Sequence, residues 1–407
     1  MTYDEALEKL NKVGQLHVLK YYGELSQSEQ KELLDQIDLT DFSVLDSIRD
    51  KSELSKGKIS PIDAMDLSEI DSHREEFTKL GLDAIRAGKV GAVLLAGGMG
   101  TRLGSSDPKG LYNIGLTKDV FIFQRLIENI MDVTKAAGNW IHLFIMTSDK
   151  NHEKTVSFLR EKKFFGYDES FVHFFRQEMA PAATYDGTVY MEAKGKIANS
   201  PNGNGGWYSS MATFGMTDIV KNEGIEWINV FAVDNVLQRI ADPCFIGATM
   251  AKNCSVGSKV VRKTCPDEKV GVMCLEDGKP SIVEYYELTD SMKTEKNAKG
   301  EYAYNFGVIL NYLFKVCELD KIAERKLPLH IVEKKIPYMD ADCNFISPDK
   351  PNGYKFEALI LDMIHMMDSC LPYEVVREHE FAPIKNKEGV DSVETARELC
   401  RKNGIEL

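Results

Sequence analysis

Between Leu94 and Gly110 the chain gathers residue types suited to a polyphosphate: Leu94-Leu95-Ala96-Gly97-Gly98-Met99-Gly100-Thr101-Arg102-Leu103-Gly104, then Asp107-Pro108-Lys109-Gly110. Three glycines fall within four residues, Arg102 stands two residues beyond the third, and Lys109 seven beyond Arg102. Glycines adopt positive φ readily and let bare backbone approach a ligand, so the turn is expected to use both properties. Successive N–H groups in such a turn form an anion-binding concavity. A guanidinium and an ammonium add two fixed positive charges. A Walker loop is excluded, because Gly110 rather than Ser or Thr follows Lys109 and the spacing differs. A dinucleotide fingerprint is excluded too: Gly98, Gly100 and Gly104 read G-x-G-x-x-x-G, one residue too long.

Further along, Phe174-Phe175-Arg176-Gln177 ends an apolar run with an amide, a group that presents both a donor and an acceptor. Pro201-Asn202-Gly203-Asn204-Gly205-Gly206 is a loop of turn-forming residues. Val230-Phe231-Ala232-Val233-Asp234 reads as a buried strand ending in a carboxylate. Such a carboxylate suits Mg²⁺, which takes one or two protein carboxylates and completes its shell with phosphate oxygens. Lys355 lies at the start of an expected helix from Phe356 to Met367, where the helix dipole disfavours a cation, so the lysine is expected to face an anion.

These groups need a scaffold that presents strand ends. The apolar run Val90–Ala96 predicts a buried strand, followed by a helix with Phe123, Ile127, Ile130 and Met131. Trp140–Thr147, Phe171–Gln177 and Glu226–Val233 read as strands, with helices at 150–163 and 207–222. That alternation predicts an α/β layered domain with a mixed, mostly parallel sheet and flanking helices. Ligands of such sheets bind beyond the carboxyl ends of the strands. Past Val256 the pattern becomes hairpin-like, with 270–275 and 281–285 flanking Asp277-Gly278. Residues 1–88 read as a helical lobe. It has an apolar face at Leu7, Leu10, Leu16 and Leu19, a polar connection at 51–58, and capping boxes at Ser26–Glu29 and Ser72–Glu75, with Gly88 as the last helix stop. The expected division is therefore a helical lobe over 1–88, a catalytic domain over 89–330 and a small C-terminal lobe over 331–407.

The 407 residues are 43% hydrophobic and 28% charged, as in ordinary globular proteins. A net charge of −13 argues against general nucleic-acid binding, so an anionic substrate must meet a local basic patch. The eight cysteines include no C-x-x-C pair and read as reduced thiols. Neither a signal peptide nor a membrane span is apparent, and a cytoplasmic location is expected.

With these residues in place, L-A-G-G-x-G-T-R-L-G followed by P-K-G resembles the signature of sugar-nucleotide pyrophosphorylases, specifically the eukaryotic-type UDP-N-acetylhexosamine pyrophosphorylases. Pro201–Gly206, Val233-Asp234-Asn235, Lys334–Tyr338, Pro351–Lys355 and Glu380–Asn386 extend the resemblance over most of 90–397. It implies a Rossmann-like, GT-A-like nucleotidyltransferase fold. The activity implied joins UTP and N-acetylglucosamine 1-phosphate into UDP-N-acetylglucosamine, releasing pyrophosphate. It implies Arg102, Lys109 and Lys355 as catalytic cations and Asp234 as the ligand of Mg²⁺ or Mn²⁺. Gly97, Gly98, Gln177, Gly203 and Asn204 would bind the nucleotide, and Gly271, Glu284 and Asn305 the sugar. Longer family members continue past the Thr395-Ala396-Arg397 region into a β-rich segment, so self-association through it is in doubt here and a monomer is expected. Two alternatives stay open: a pyrophosphorylase for hexose 1-phosphates lacking the N-acetyl group, and a non-catalytic sugar-nucleotide sensor.

Overall fold

A computed structural model describes residues 1–49, 56–325 and 327–407. Two compact units interleave along the chain rather than following one another. One comprises Met1–Ser55, Gln177–Trp207 and Leu327–Ile360, and the other Lys56–Arg176, Tyr208–Lys326 and Leu361–Leu407. The sequence-based cuts at 88 and 330 therefore do not coincide with the contacts. Residues 56–88 and 361–407 join the larger unit, and Lys355 lies in the smaller one.

The larger unit is built on a ten-stranded mixed sheet. Its strands are β1 (Ile59–Pro61), β2 (Val90–Leu95), β3 (His142–Thr147), β4 (Val172–Arg176), β5 (Trp227–Ala232), β6 (Val256–Arg262), β7 (Val272–Glu276), β8 (Lys279–Val283), β9 (Phe306–Lys315) and β10 (Cys370–Glu374). The path runs β1-β7-β9-β5-β2-β3-β4, with β8 beside β7, and with β6 between β9 and β10. Strands β5, β2, β3 and β4 are parallel neighbours, and β9 turns the sheet antiparallel. Every residue of β2 is buried, as a parallel strand covered on both faces requires. Helices α1 (Leu67–Arg86), α2 (Ile122–Ala137), α3 (His152–Glu161), α4 (Pro243–Ala251) and α5 (Val393–Lys402) belong to this unit. Phe123, Leu126, Ile127 and Ile130 of α2 join β2 and β3 in its core.

Several local readings need correction. α1 starts at Asp66, whose carboxylate accepts from Glu69 N at 3.0 Å. Ser72 lies within the helix and donates back to Glu69 O at 2.8 Å, the local bond a mid-helix serine makes. The expected helix over 207–222 breaks into Trp207–Thr213 and Met216–Asn222 because Gly215 turns left-handed at φ 73°. The Asp277-Gly278 hairpin forms as expected, with positive φ at both positions. Of the polar connection at 51–58, residues 51–55 lie outside the described residues.

In the smaller unit, helices Tyr3–Lys12 and Gln27–Leu39 pack through Ala6, Leu10, Leu33 and Ile37 against Ala180, Val189, Ile197 and Phe356. The Ser26–Glu29 capping box is present. Leu7 and Leu16 stay exposed, because the buried stripe runs through Ala6 and Leu10. The helix expected from Phe356 is displaced. Gly353–Glu357 is instead the central strand of a three-stranded sheet, between His330–Lys334 and Ala183–Thr184, and a helix spans only Ile360–His365. Lys355 is paired with Val332 in that sheet and is not at a helix start, so the dipole argument for it falls.

Candidate functional site

The glycine turn leaves the carboxyl end of β2. Ala96 N donates to Met146 O at 2.8 Å, so the strand pairing with β3 continues up to the first glycine. The loop then folds back on itself: Gly100 N donates to Asp107 O at 2.8 Å, and Lys109 N to Gly98 O at 3.2 Å. Gly100 has φ −80° and Gly98 is not left-handed; the left-handed residue is Gly104, at φ 77°. The expected use of positive φ therefore moves to the end of the loop. Close approach is what remains for Gly98, which is exposed and where an added Cβ would meet no protein atom within 4 Å.

Asn151, fully buried just before α3, fixes the entry to this loop. Its Nδ2 donates to Ala96 O at 2.9 Å and to Gly98 O at 3.4 Å, while its Oδ1 accepts from Ser148 N at 2.8 Å. Sequence reading missed it, because an asparagine before a helix looks like any other cap.

Arg102 is exposed and Lys109 partly buried. Burial holds the Lys109 ammonium below its ordinary pKa; the charge of Asp234 opposes that shift, and the charges of Lys385 and Arg102 add to it. Lys109 thus senses two further cations and one carboxylate. Asp234 follows β5, the parallel neighbour of β2, and Val233 N donates to Leu95 O at 3.2 Å. The segment Glu380–Lys385 clamps the turn at Asp234. Ile384 N donates to Asp234 O at 2.8 Å, Asn235 Nδ2 to Glu380 O at 2.7 Å, and Ala382 N to Asn235 Oδ1 at 2.9 Å. The same segment, some 150 residues from Asp234 in the chain, carries Lys385, whose charge reaches Lys109 and whose Nζ donates to Asp391 Oδ2 at 3.0 Å. Its signal was the Glu380–Asn386 motif, whose lysine was not singled out.

The Asp234 carboxylate has no hydrogen bond among the described residues, and no group of three or more His, Cys, Asp or Glu side chains there could hold a metal. This arrangement does not fit a cation caged by protein alone. It does fit Mg²⁺, which uses few protein carboxylates and takes phosphate oxygens from its substrate.

The expected sugar residues also lie in the larger unit. Gly271 sits where an added Cβ would be 3.1 Å from Ile282 Cγ2 and 3.7 Å from Glu284 Oε2. Asn305 is 8% exposed, and its side-chain amide has no hydrogen bond among the described residues. Within the smaller unit, Gln177 and Gly203 meet: Gln177 Nε2 donates to Gly203 O at 2.6 Å. Gly203 has φ 88° and ψ 165°, and an added Cβ would lie 2.2 Å from Ala358 O. Asn204 Oδ1 accepts from Ile360 N at 3.0 Å, and Gly205 N donates to Ala358 O at 2.8 Å. The Pro201–Gly206 loop is thus tied to the residues just after the Lys355 strand.

Comparison with known proteins agrees with this fold. The family model for UTP–glucose-1-phosphate uridylyltransferase matches residues 42–397. UDP-N-acetylglucosamine diphosphorylase 2 of Arabidopsis thaliana is 37% identical, over 97% of this chain and 82% of that protein. UDP-N-acetylglucosamine pyrophosphorylase of Saccharomyces cerevisiae is 33% identical, over 96% and 88%. The crystal structure of the Trypanosoma brucei uridine diphosphate N-acetylglucosamine pyrophosphorylase in complex with an inhibitor superposes with a TM-score of 0.85 at 28% identity, covering 97% of this chain and 84% of that one. With a nucleotidyltransferase fold, a matched family model over most of its length and relatives above 30% identity, the chain belongs to the UTP–glucose-1-phosphate uridylyltransferase family.

Proposed function

We propose that the chain transfers uridylate from UTP to N-acetylglucosamine 1-phosphate, forming UDP-N-acetylglucosamine and pyrophosphate. The observation that carries this reading is that the charges of Asp234, Lys385 and Arg102 all reach Lys109, in the loop past a parallel strand whose neighbour ends at Asp234. A phosphate oxygen of the sugar phosphate attacks the α-phosphorus of UTP, and the bond from that phosphorus to the β-phosphate bridging oxygen breaks. The negative charge leaves with pyrophosphate, so catalysis is positioning plus charge stabilisation and no protein nucleophile is required.

Each residue then has one task. Arg102, Lys109 and Lys385 hold the departing phosphates. A Mg²⁺ or Mn²⁺ ion arriving with the nucleotide would be held by Asp234 and would supply positive charge to the phosphate oxygens. The backbone at Gly97 and Gly98 accepts the nucleotide at close approach. In the smaller unit, Gln177 reads the uracil edge, Gly203 and Asn204 support the nucleoside, and Lys355 neutralises phosphate charge. Glu284 accepts from a sugar hydroxyl, Gly271 leaves room beside it, and the Asn305 amide bonds the acetamido group.

The printed names of the Arabidopsis and yeast relatives support the N-acetylated sugar. Eight unpaired cysteines are in keeping with reaction in the cytoplasm. No helix among the described residues is long and apolar enough to cross a membrane. A monomer is the proposed state, with a light-scattering mass of 45.8 kDa as its check.

Pyrophosphate release by the purified protein tests the whole reading. UTP with N-acetylglucosamine 1-phosphate should give the fastest release, ahead of glucose 1-phosphate, and ATP should be a poor substitute. Binding of the sugar nucleotide without any release would make the chain a sensor. Preference for glucose 1-phosphate would make it a hexose pyrophosphorylase, and equal use of ATP would remove the role given to Gln177.

A further inference from the structure

The larger unit buries an ion cluster that the proposed reaction does not use. Lys259, on β6, has no solvent exposure. Its Nζ donates to Glu380 Oε2 at 2.5 Å, to Asp242 Oδ2 at 3.1 Å and to Arg239 O at 3.2 Å. Asp242 caps α4, with its Oδ1 accepting from Cys244 N at 3.1 Å, and Arg239 N donates to Glu380 Oε2 at 3.4 Å. Three separated stretches of chain meet at one ammonium.

A buried cluster of this kind is weak evidence of stabilisation, because well-packed apolar side chains often serve a fold as well. What the cluster does fix is position. Glu380 begins the segment that clamps the Asp234 turn. Its own carbonyl accepts from Asn235 Nδ2, and Ala382 N and Ile384 N bond Asn235 Oδ1 and Asp234 O. Lys385 follows directly. The route from Lys259 Nζ to the Asp234 turn is therefore two hydrogen bonds through one residue, Glu380.

We infer that Lys259 is a positioning residue for the phosphate-binding cluster: through Glu380 it sets the placement of both the Asp234 turn and Lys385. This rests on the roles given to Asp234 and Lys385 under Proposed function.

The single change Lys259→Met would leave two buried carboxylates without the ammonium that bonds them, with only the charge of Arg239 acting on both, and is expected to unfold. The double variant Lys259→Met/Glu380→Gln removes a charge of each sign and keeps a hydrogen-bonding side chain at 380. Its fold is checked by circular dichroism and thermal melting. Hydrogen exchange at the Ala382 and Ile384 amides should then be roughly tenfold faster or more, with α2 unchanged, since only the anchored segment is loosened. The kcat should fall by about tenfold to a hundredfold, the scale of a small misplacement, with KM for N-acetylglucosamine 1-phosphate within about twofold. Wild-type exchange at both amides, or wild-type kcat in the folded variant, overturns the inference. Asp234→Ala measured alongside separates the two ideas: normal turnover in that variant refutes the role of Asp234 itself, whereas the exchange readout depends on no metal or substrate.

Discussion

The two units carry their candidate groups in different ways. In the larger one, Gly97, Gly98 and Asp234 lie just past the ends of β2 and β5, parallel neighbours paired in register from Trp227↔Val90 to Ala232↔Leu95. In the smaller one, Lys355 stands mid-strand in a three-stranded sheet, and Gln177 and Gly203 meet in a loop tied to Ala358. Strand ends of a buried parallel sheet are rigid by construction. A loop on a small sheet has to be fixed by its own contacts, so the same substitution should have different consequences in the two places.

The largest effects are expected in the strand-end group. Arg102→Ala and Lys109→Ala should each lower kcat by roughly 10²–10³-fold, the scale for removing one preorganised charge from a developing anion. Asp234→Ala should be at least as severe, and excess chelator should mimic it in the unmodified protein. Thermal stability should hardly move in Arg102→Ala, because the side chain is exposed. Near-normal turnover in either cation variant would reduce that residue to surface charge and leave the strand-end site without its main support.

A matched pair of glycine substitutions sharpens the contrast. At Gly203, φ 88° and ψ 165° lie in a region that only glycine occupies easily, and a Cβ would press on Ala358 O. Gly203→Ala should therefore cost about 1–3 kcal/mol of stability. At Gly98 a Cβ meets nothing, so Gly98→Ala should leave stability within about 0.5 kcal/mol. If UTP does approach the Gly98 backbone, KM for UTP should nevertheless rise by about tenfold, equivalent to about 1.4 kcal/mol of binding. Unfolding curves and initial rates on both variants decide this. Equal stability loss in the two would erase the distinction between a structural glycine and a ligand-facing one.

Legibility from sequence followed the same division. The parallel strands could be read because they are short apolar runs separated by helical patterns, and β2 to β5 lie close to where those runs placed them. The glycine turn, Asp234 and the Asp277-Gly278 hairpin followed from local residue types. Lys355 was placed on the wrong kind of element. The strand Gly353–Glu357 exists because it pairs with His330–Lys334 and Ala183–Thr184, and the latter lies about 170 residues away. Local pattern carries no trace of such a partner. The interleaving of the units is invisible for the same reason. Lys385 and Asn151 are missed differently: each has an ordinary local context, and its relation to the site comes from long-range hydrogen bonds, from Ile384 N to Asp234 O beside Lys385 and from Asn151 to the glycine loop.

The smallest expected effect concerns the amino ends of β3 and β4, which continue the same parallel set beyond β2. His142 opens β3 and His173 is second in β4, with His142 Nδ1 and His173 Nε2 2.9 Å apart. Burial first, and the neighbouring His142 second, push His173 down from 6.5 to about 4, while Glu223, 3.8 Å from His142 Nε2, opposes the shift. A histidine with a depressed folded-state pKa binds its proton more readily in the unfolded chain. Its contribution is therefore fully present above pH 6.5 and is lost as pH falls toward 4. The melting temperature should decline across that window. His173→Phe, which cannot titrate, should flatten the decline modestly, because the pair is only partly shielded from solvent. Activity at neutral pH should be retained, since the pair lies at the amino ends of β3 and β4, whereas the phosphate-binding groups lie past the carboxyl ends of the parallel strands β2 and β5. Parallel melting curves for the two proteins from pH 4 to 6.5 would show that the pair contributes nothing. A large loss of turnover at neutral pH would mean that the two ends of the sheet are not separable in function.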